Sequence, residues 1–259
     1  MTTIALVGLL VASCGSDDAD SAASTASTAT NTAAVSGEIV VFAASSLTEA
    51  FAKMADAFTA QNPDAKLTFN FAGSGDLVTQ IDQGAPADVF VSADDTNMTK
   101  LTDAGDNAGE PVSIAKNTFE IIAEAGNPKD ITGLDDLSNP DLVVVLCADT
   151  VPCGKGAVKV LANAAVSVTP KSYEDKVKGV VTKVTTGEAD AGIVFVTDVR
   201  AARDKAAGVE IPADVNVISN YPMVVTKNAP NPTAAQAFVD FVAGAAGQAI
   251  LAEYGFLVP

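Results

Sequence analysis

From Glu38 onward, short apolar runs and amphipathic stretches alternate strictly, and no other feature of the chain restricts its fold as much. Residues 39–43 read as a buried strand. Residues 47–61 read as a helix with Leu47, Ala50, Phe51, Met54, Ala55 and Phe58 along one face. Residues 66–71 and 88–92 repeat the strand pattern, and 77–83 and 96–104 repeat the helix pattern. Such a β-α-β-α-β-α run builds a mostly parallel sheet covered by helices on both faces. Beyond it the pattern predicts strands over 118–123 and 142–146 and helices over 154–165 and 173–186. A strand over 191–196, a helix over 197–207, strands over 215–218 and 223–226, and one or two helices over 233–254 complete the chain.

An internal echo divides this α/β chain in two. Val78-Thr79-Gln80-Ile81 leads through Gly84 to Ala87-Asp88 and an apolar strand. Val181-Thr182-Lys183-Val184 leads through Gly187 to Ala189-Asp190 and another. Helix, glycine stop, acidic turn and buried strand in both places fit two similarly wound lobes. A cleft is then expected at the carboxyl ends of their strands.

The chain contains no histidine, which excludes a Ser-His-Asp triad and removes the commonest transition-metal ligand. Its formal charge of −17 makes nucleic acid a poor partner. Chemistry is instead suggested where strands turn into helices. Ala43-Ala44-Ser45-Ser46-Leu47 and Phe71-Ala72-Gly73-Ser74-Gly75 are small polar turns opening amphipathic helices, and each sets free N–H groups at the positive end of a helix dipole. Taken alone, Ser46 is a helix N-cap and Gly73-Ser74-Gly75 a flexible turn. Val151-Pro152-Cys153-Gly154 and Gly192-Ile193-Val194 repeat the junction in the second half. Opposed junctions across a cleft suit a small, fully ionised anion. Asp88, Asp94, Asp95 and Asp190 read as acidic turn residues and not as a cation site.

Residues 1–13 form an apolar segment ending in Val11-Ala12-Ser13-Cys14-Gly15. It falls short of the about 20 residues that span a bilayer and reads as a signal segment. No Lys or Arg precedes the apolar run, which departs from the usual pattern. Small residues before Cys14 are similar to the lipobox of bacterial lipoproteins, which implies lipidation at Cys14. The polar stretch 14–37 has almost no large apolar residue and reads as a tether. The expected product is exported and anchored at the outer face of the cell membrane. Cys147 and Cys153 bracket Ala148-Asp149-Thr150-Val151-Pro152. They are either a local disulfide in an oxidising compartment or two reduced small hydrophobes.

The motifs together, with Gly84-Ala85-Pro86-Ala87-Asp88-Val89-Phe90-Val91-Ser92-Ala93-Asp94 and Tyr221-Pro222, are similar in order over about 38–259 to the molybdate-binding proteins of bacterial ABC importers. That resemblance implies the two-lobed type II periplasmic-binding-protein fold. Each lobe would be a mostly parallel sheet flanked by helices, with lobe I at 38–118 and 225–259 and lobe II at 119–224. It implies molybdate or tungstate as ligand, no cofactor, no enzymatic activity, a membrane permease as partner and a monomer. Carried over, Ser46 and Ser74 donate hydroxyl and backbone N–H groups from one lobe. The N–H groups of Cys153 and Val194 and the Tyr221 hydroxyl come from the other. A cysteine at 153 departs from the alanine often found there, which a backbone donor tolerates. Sulfate or phosphate is the alternative cargo of the same fold, and a histidine-free serine hydrolase using Ser74 is the alternative class.

Overall fold

A computed structural model describes residues 35–259; the expected signal segment, Cys14 and the expected tether through residue 34 lie outside the described residues. Strand β1 (Gly37–Ala44) passes through a 3-10 turn at Ser45–Leu47 into α1 (Thr48–Gln61). Then follow β2 (Ala65–Ala72), α2 (Ser74–Asp82), β3 (Val89–Val91), α3 (Asp95–Asp103), β4 (Val112–Asn117) and β5 (Phe119–Glu124). The second half continues with β6 (Val144–Cys147), α4 (Pro152–Asn163), β7 (Ser172–Glu174), α5 (Val177–Thr185), β8 (Ala191–Phe195) and α6 (Val196–Ala202). It ends with β9 (Ala206–Glu210), β10 (Ser219–Val225), α7 (Pro232–Ala243) and α8 (Ala245–Glu253).

Two five-stranded sheets result, ordered β2-β1-β3-β10-β4 and β7-β6-β8-β5-β9. Both have two parallel pairings followed by two antiparallel ones. The sequence echo is the visible part of this repetition. Helices α2 and α5 both end before a left-handed glycine, Gly84 at φ +89° and Gly187 at φ +76°, a conformation glycine adopts without steric cost. The aspartate that follows then accepts a hydrogen bond from the neighbouring strand or its approach. Asp88 accepts from Val40 N–H at 2.8 Å, and Asp190 from Val143 N–H at 2.6 Å. These acids tie strands together.

The first sheet packs on α1 and α7 through edge-to-face contacts among Phe51, Phe58, Phe69, Phe238 and Phe241. Such pairs add about 0.5–1.5 kcal/mol each beyond area burial. The chain crosses between sheets at Thr118, which alone separates β4 from β5, and returns between Glu210 and Ser219. Asn216 ties the crossings together: its Oδ1 accepts from Phe119 N–H at 3.0 Å and its Nδ2 donates to Phe119 O at 2.8 Å.

Several expected elements differ. The span 215–218 is no strand, because Asn216 pins it by side-chain bonds in place of a ladder. The helix expected over 197–207 stops at Ala202, where Arg203 turns to φ +54°, and 206–210 pairs with β5 instead. The helix expected over 173–186 starts only at Val177, because 172–174 joins β6 as an edge strand. Strand β4 had no prediction. The lobe boundary expected at 224/225 also shifts: β10 bonds to β3 and β4, so all of 219–225 belongs to the first sheet.

Candidate functional site

Four junctions meet at one small cavity between the sheets. The first sheet supplies Ser45, Ser46, Gly73, Ser74 and Ala93; the second half supplies Pro152, Cys153, Lys176, Val177 and Phe195. The cavity measures about 10 Å³, close to what a single water fills.

Each junction opens a helix, and the first N–H groups of a helix have no partner within it. Ser74 is the first residue of α2 and Gly73 its N-cap, without a capping side chain. A Cβ on Gly73 would stand 2.5 Å from the Asp175 carbonyl oxygen, so only glycine lets the loop before α5 pass this close. In α4, Pro152 occupies the first turn and has no N–H, leaving Cys153 as the first donor. Cys153 is bonded to Cys147, with Cα atoms 5.7 Å apart, which ties the start of α4 to the end of β6. Val177 opens α5 with Lys176 at the N-cap.

Both serine hydroxyls are polarised toward the cavity. Ser74 Oγ accepts from the Ala93 N–H at 3.1 Å, so its own hydrogen is left to donate. Ser46 Oγ lies 2.9 Å from Tyr221 Oη. The direction of that bond follows from Asn117, whose Oδ1 accepts from Thr118 N–H at 3.0 Å. Its Nδ2 therefore faces inward, donating to Thr197 Oγ1 at 2.8 Å and to Tyr221 Oη at 3.4 Å. Tyr221 accepts from Asn117 and donates to Ser46, and the Ser46 hydrogen turns to the cavity. Burial pushes the Tyr221 phenol far above its ordinary value, and hydrogen bonds to Ser46 and Asn117 only partly oppose this. It stays a neutral donor.

No lining residue carries a carboxylate. Asp76, in the first turn of α2, is exposed. Lys178, the second residue of α5, lies 2.8 Å from Glu49 Oε2 and 3.0 Å from Asp198 Oδ1. Burial alone would lower its pKa, but Asp198 and Glu49 outweigh that and raise it. Burial likewise raises the pKa of Asp198, with Lys178 opposing.

Of the residues singled out in the sequence, Ser46, Ser74 and Cys153 line the cavity, and Val194 and Tyr221 do not. Val194 stands opposite Glu120 in the β5–β8 register. The flanking bonds Val196 N–H to Thr118 O (3.0 Å) and Glu124 N–H to Asp190 O (3.2 Å) make Glu120–Val194 a doubly bonded pair. Its N–H is therefore engaged by the Glu120 carbonyl. In that region Val177, the first residue of α5, lines the cavity; it was missed because 173–186 reads as one uninterrupted helix. The signal available was the glycine spacing of the echo, which aligns α5 with α2 and thus the start of α5 with Ser74. Tyr221 is fully buried and stands one hydrogen bond behind Ser46, not at the cavity wall. Lys176 also lines the cavity, although no lysine fell within the sequence motifs.

The family described as bacterial extracellular solute-binding protein matches residues 39–257. The molybdate-binding protein ModA of Mycobacterium tuberculosis is 43% identical over 221 residues, covering 85% of each chain. Among solved structures, the substrate binding domain of a putative molybdenum ABC transporter from Clostridium difficile is 31% identical with a TM-score of 0.65. It covers 86% of this chain and 99% of its own. The sulfate-binding protein SubI of Mycobacterium tuberculosis has a TM-score of 0.75 at 19% identity, covering 85% of this chain and 86% of its own, and so shares the fold alone.

Proposed function

The chain belongs to the bacterial extracellular solute-binding proteins, and from that premise we propose that it captures molybdate between its two lobes and hands it to an ABC permease. The observation that carries the reading is a cavity lined by Ser46, Ser74 and the first residues of α2, α4 and α5, with no carboxylate among its lining residues. Molybdate and tungstate are unprotonated dianions at neutral pH and offer only acceptors. Hydrogen bonds to a charged group contribute about 1.5–3 kcal/mol each, so six offset much of the anion's lost hydration. The donors are the hydroxyls and backbone N–H groups of Ser46 and Ser74 and the N–H groups of Cys153 and Val177. Tyr221 contributes through Ser46. Hydrogen phosphate would present a proton, for which no carboxylate stands among the lining residues.

The fold is shared with a sulfate binder, so the cargo is decided by the wall and its size. A four-oxygen anion exceeds a cavity of about 10 Å³, so the lobes part at the crossings by Thr118 and 211–218 to admit it. The hydrolase reading finds no support at Ser74: the hydrogen bond at its Oγ is to a backbone N–H, and Lys176, which lines the same cavity, makes none with it among the described residues. The lipobox-like segment at Cys14 and the polar stretch after it support a lipid anchor with a tether at the outer face of the cell membrane, and we propose a monomer.

The test is thermal unfolding of the full chain with molybdate, tungstate, sulfate or phosphate at fixed ionic strength. A ligand at a hundredfold excess over its dissociation constant adds about 2.7 kcal/mol. Shifts with molybdate and tungstate alone support the receptor and its size filter. A shift with sulfate or phosphate instead would change the cargo, and no shift with any anion would overturn the reading.

A further inference from the structure

The two donor helices of the second lobe share a feature unrelated to their N–H groups. Each carries a lysine just beyond its donor, Lys155 after Cys153 in α4 and Lys178 after Val177 in α5. Each lysine reaches across the cleft to a carboxylate of the first lobe. Lys155 Nζ lies 2.9 Å from Asp94 Oδ2, at the N-cap of α3 and next to Ala93, which holds Ser74. Lys178 Nζ lies 2.8 Å from Glu49 Oε2, in the first turn of α1 beyond Ser46. The side chains of the first pair are 25% and 14% exposed, and those of the second 21% and 39%.

We propose that these two ion pairs are clasps that hold the donors of one lobe at anion-binding spacing from those of the other, with Lys155, Lys178, Glu49 and Asp94 as positioning residues that do not touch the ligand. The inference rests on the receptor reading above. Isolated surface ion pairs contribute little, largely because two long side chains must be ordered. Lys178 escapes much of that cost. Asp198, of its own lobe and fully buried, sits 3.0 Å from it, and neither Asp198 oxygen has a well-angled hydrogen bond among the described residues. A buried carboxylate so poorly satisfied keeps its one cation in place whether or not Glu49 is near. Lys178 is therefore aimed at the cleft in advance, and bringing the lobes together adds Glu49 to a charge already ordered. The spacing explains the placement: each clasp lies one or two residues from a donor N–H, where an error in lobe distance would most directly lengthen the bond to the anion.

The experiment uses the full chain, its Glu49→Gln and Lys155→Gln variants, and a chase of bound radioactive molybdate. Neither variant strips Lys178 from Asp198. Each is expected to speed molybdate release about two- to fivefold, the range of a partly exposed pair. Association and the ligand-free thermal midpoint should stay at the parent's values, because the pairs form across the cleft only when it closes. The difference in release should shrink between about 20 and 300 mM chloride as screening grows. Release at the parent's rate in both variants overturns the clasp. So does a ligand-free midpoint that falls as far as the loaded one, which would make the pairs merely structural. A parent that retains no molybdate sinks the receptor reading and the clasp with it, whereas a parent that binds beside unaltered variants sinks the clasp alone.

Discussion

Replacing Tyr221 with phenylalanine removes one oxygen from a chain of hydrogen bonds and leaves its ring among Phe195 and Phe256, whose centroids lie 5.9 and 5.3 Å away. That oxygen orients the Ser46 hydroxyl from 2.9 Å and does not reach the cavity wall. Its loss frees Ser46 to turn away from the anion. The expected cost in affinity is that of a neutral hydrogen bond, about 0.5–1.5 kcal/mol, or roughly two- to twelvefold in Kd. A direct donor to a dianion would cost about 1.5–3 kcal/mol, roughly twelve- to more than a hundredfold. Titration calorimetry with molybdate on the parent, Tyr221→Phe, Ser46→Ala and the double variant separates the two. If Tyr221 acts only through Ser46, its replacement costs nothing once Ser46 is alanine, and the coupling equals the whole single-variant effect. Equal losses in both backgrounds would refute the relay and return Tyr221 to the ligand's own shell.

Ser74→Ala should weaken molybdate binding by about 1–3 kcal/mol and also strip the Ala93 N–H of its acceptor. Asp76→Asn, on the exposed side of the same turn, should leave Kd unchanged; the same calorimetry reads both. Glu120 tests the energetics of the second lobe. Burial pushes its carboxyl above the ordinary range, with Arg200 opposing and Glu210 adding to the rise. The folded state therefore holds this proton more tightly than the unfolded chain, and stability falls as pH rises from the ordinary carboxylate range through the raised value. Glu120→Gln should accordingly raise the thermal midpoint at pH about 7, with the gain disappearing near pH about 4, where the parent carboxyl is protonated in both states. A gain that persists unchanged at low pH would point to packing instead of charge.

The legibility of this chain follows the range of the forces involved. Residues 39–104 could be read because each strand-helix step is announced by its own apolar period, and α1 was recognisable from Leu47 to Phe58 alone. The echo around Gly84 and Gly187 was legible because a left-handed helix stop demands glycine wherever it occurs. Strand β9 was not legible, since Ala206–Glu210 has no apolar alternation and is a strand only because β5 offers it an edge. The start of α5 was hidden because Lys176 carries no capping side-chain bond, and the strand before it is three residues long.

Within the site the same division holds. The sequence by itself determined which turns would expose N–H groups, because Ser46, Ser74 and Pro152-Cys153 sit at helix starts set by local chemistry. Only the tertiary structure decided which of those groups point at one place. The β5–β8 register withdrew Val194, since the hydrogen-bonding partner of a strand amide depends on a neighbour about seventy residues away. The packing of β10 between β3 and β4 set Tyr221 behind Ser46, and the meeting of the lobes brought Val177, Lys155 and Lys178 to the rim. Helix starts are fixed by a few consecutive residues, whereas a donor's aim and a proton's direction depend on what the rest of the fold places opposite them.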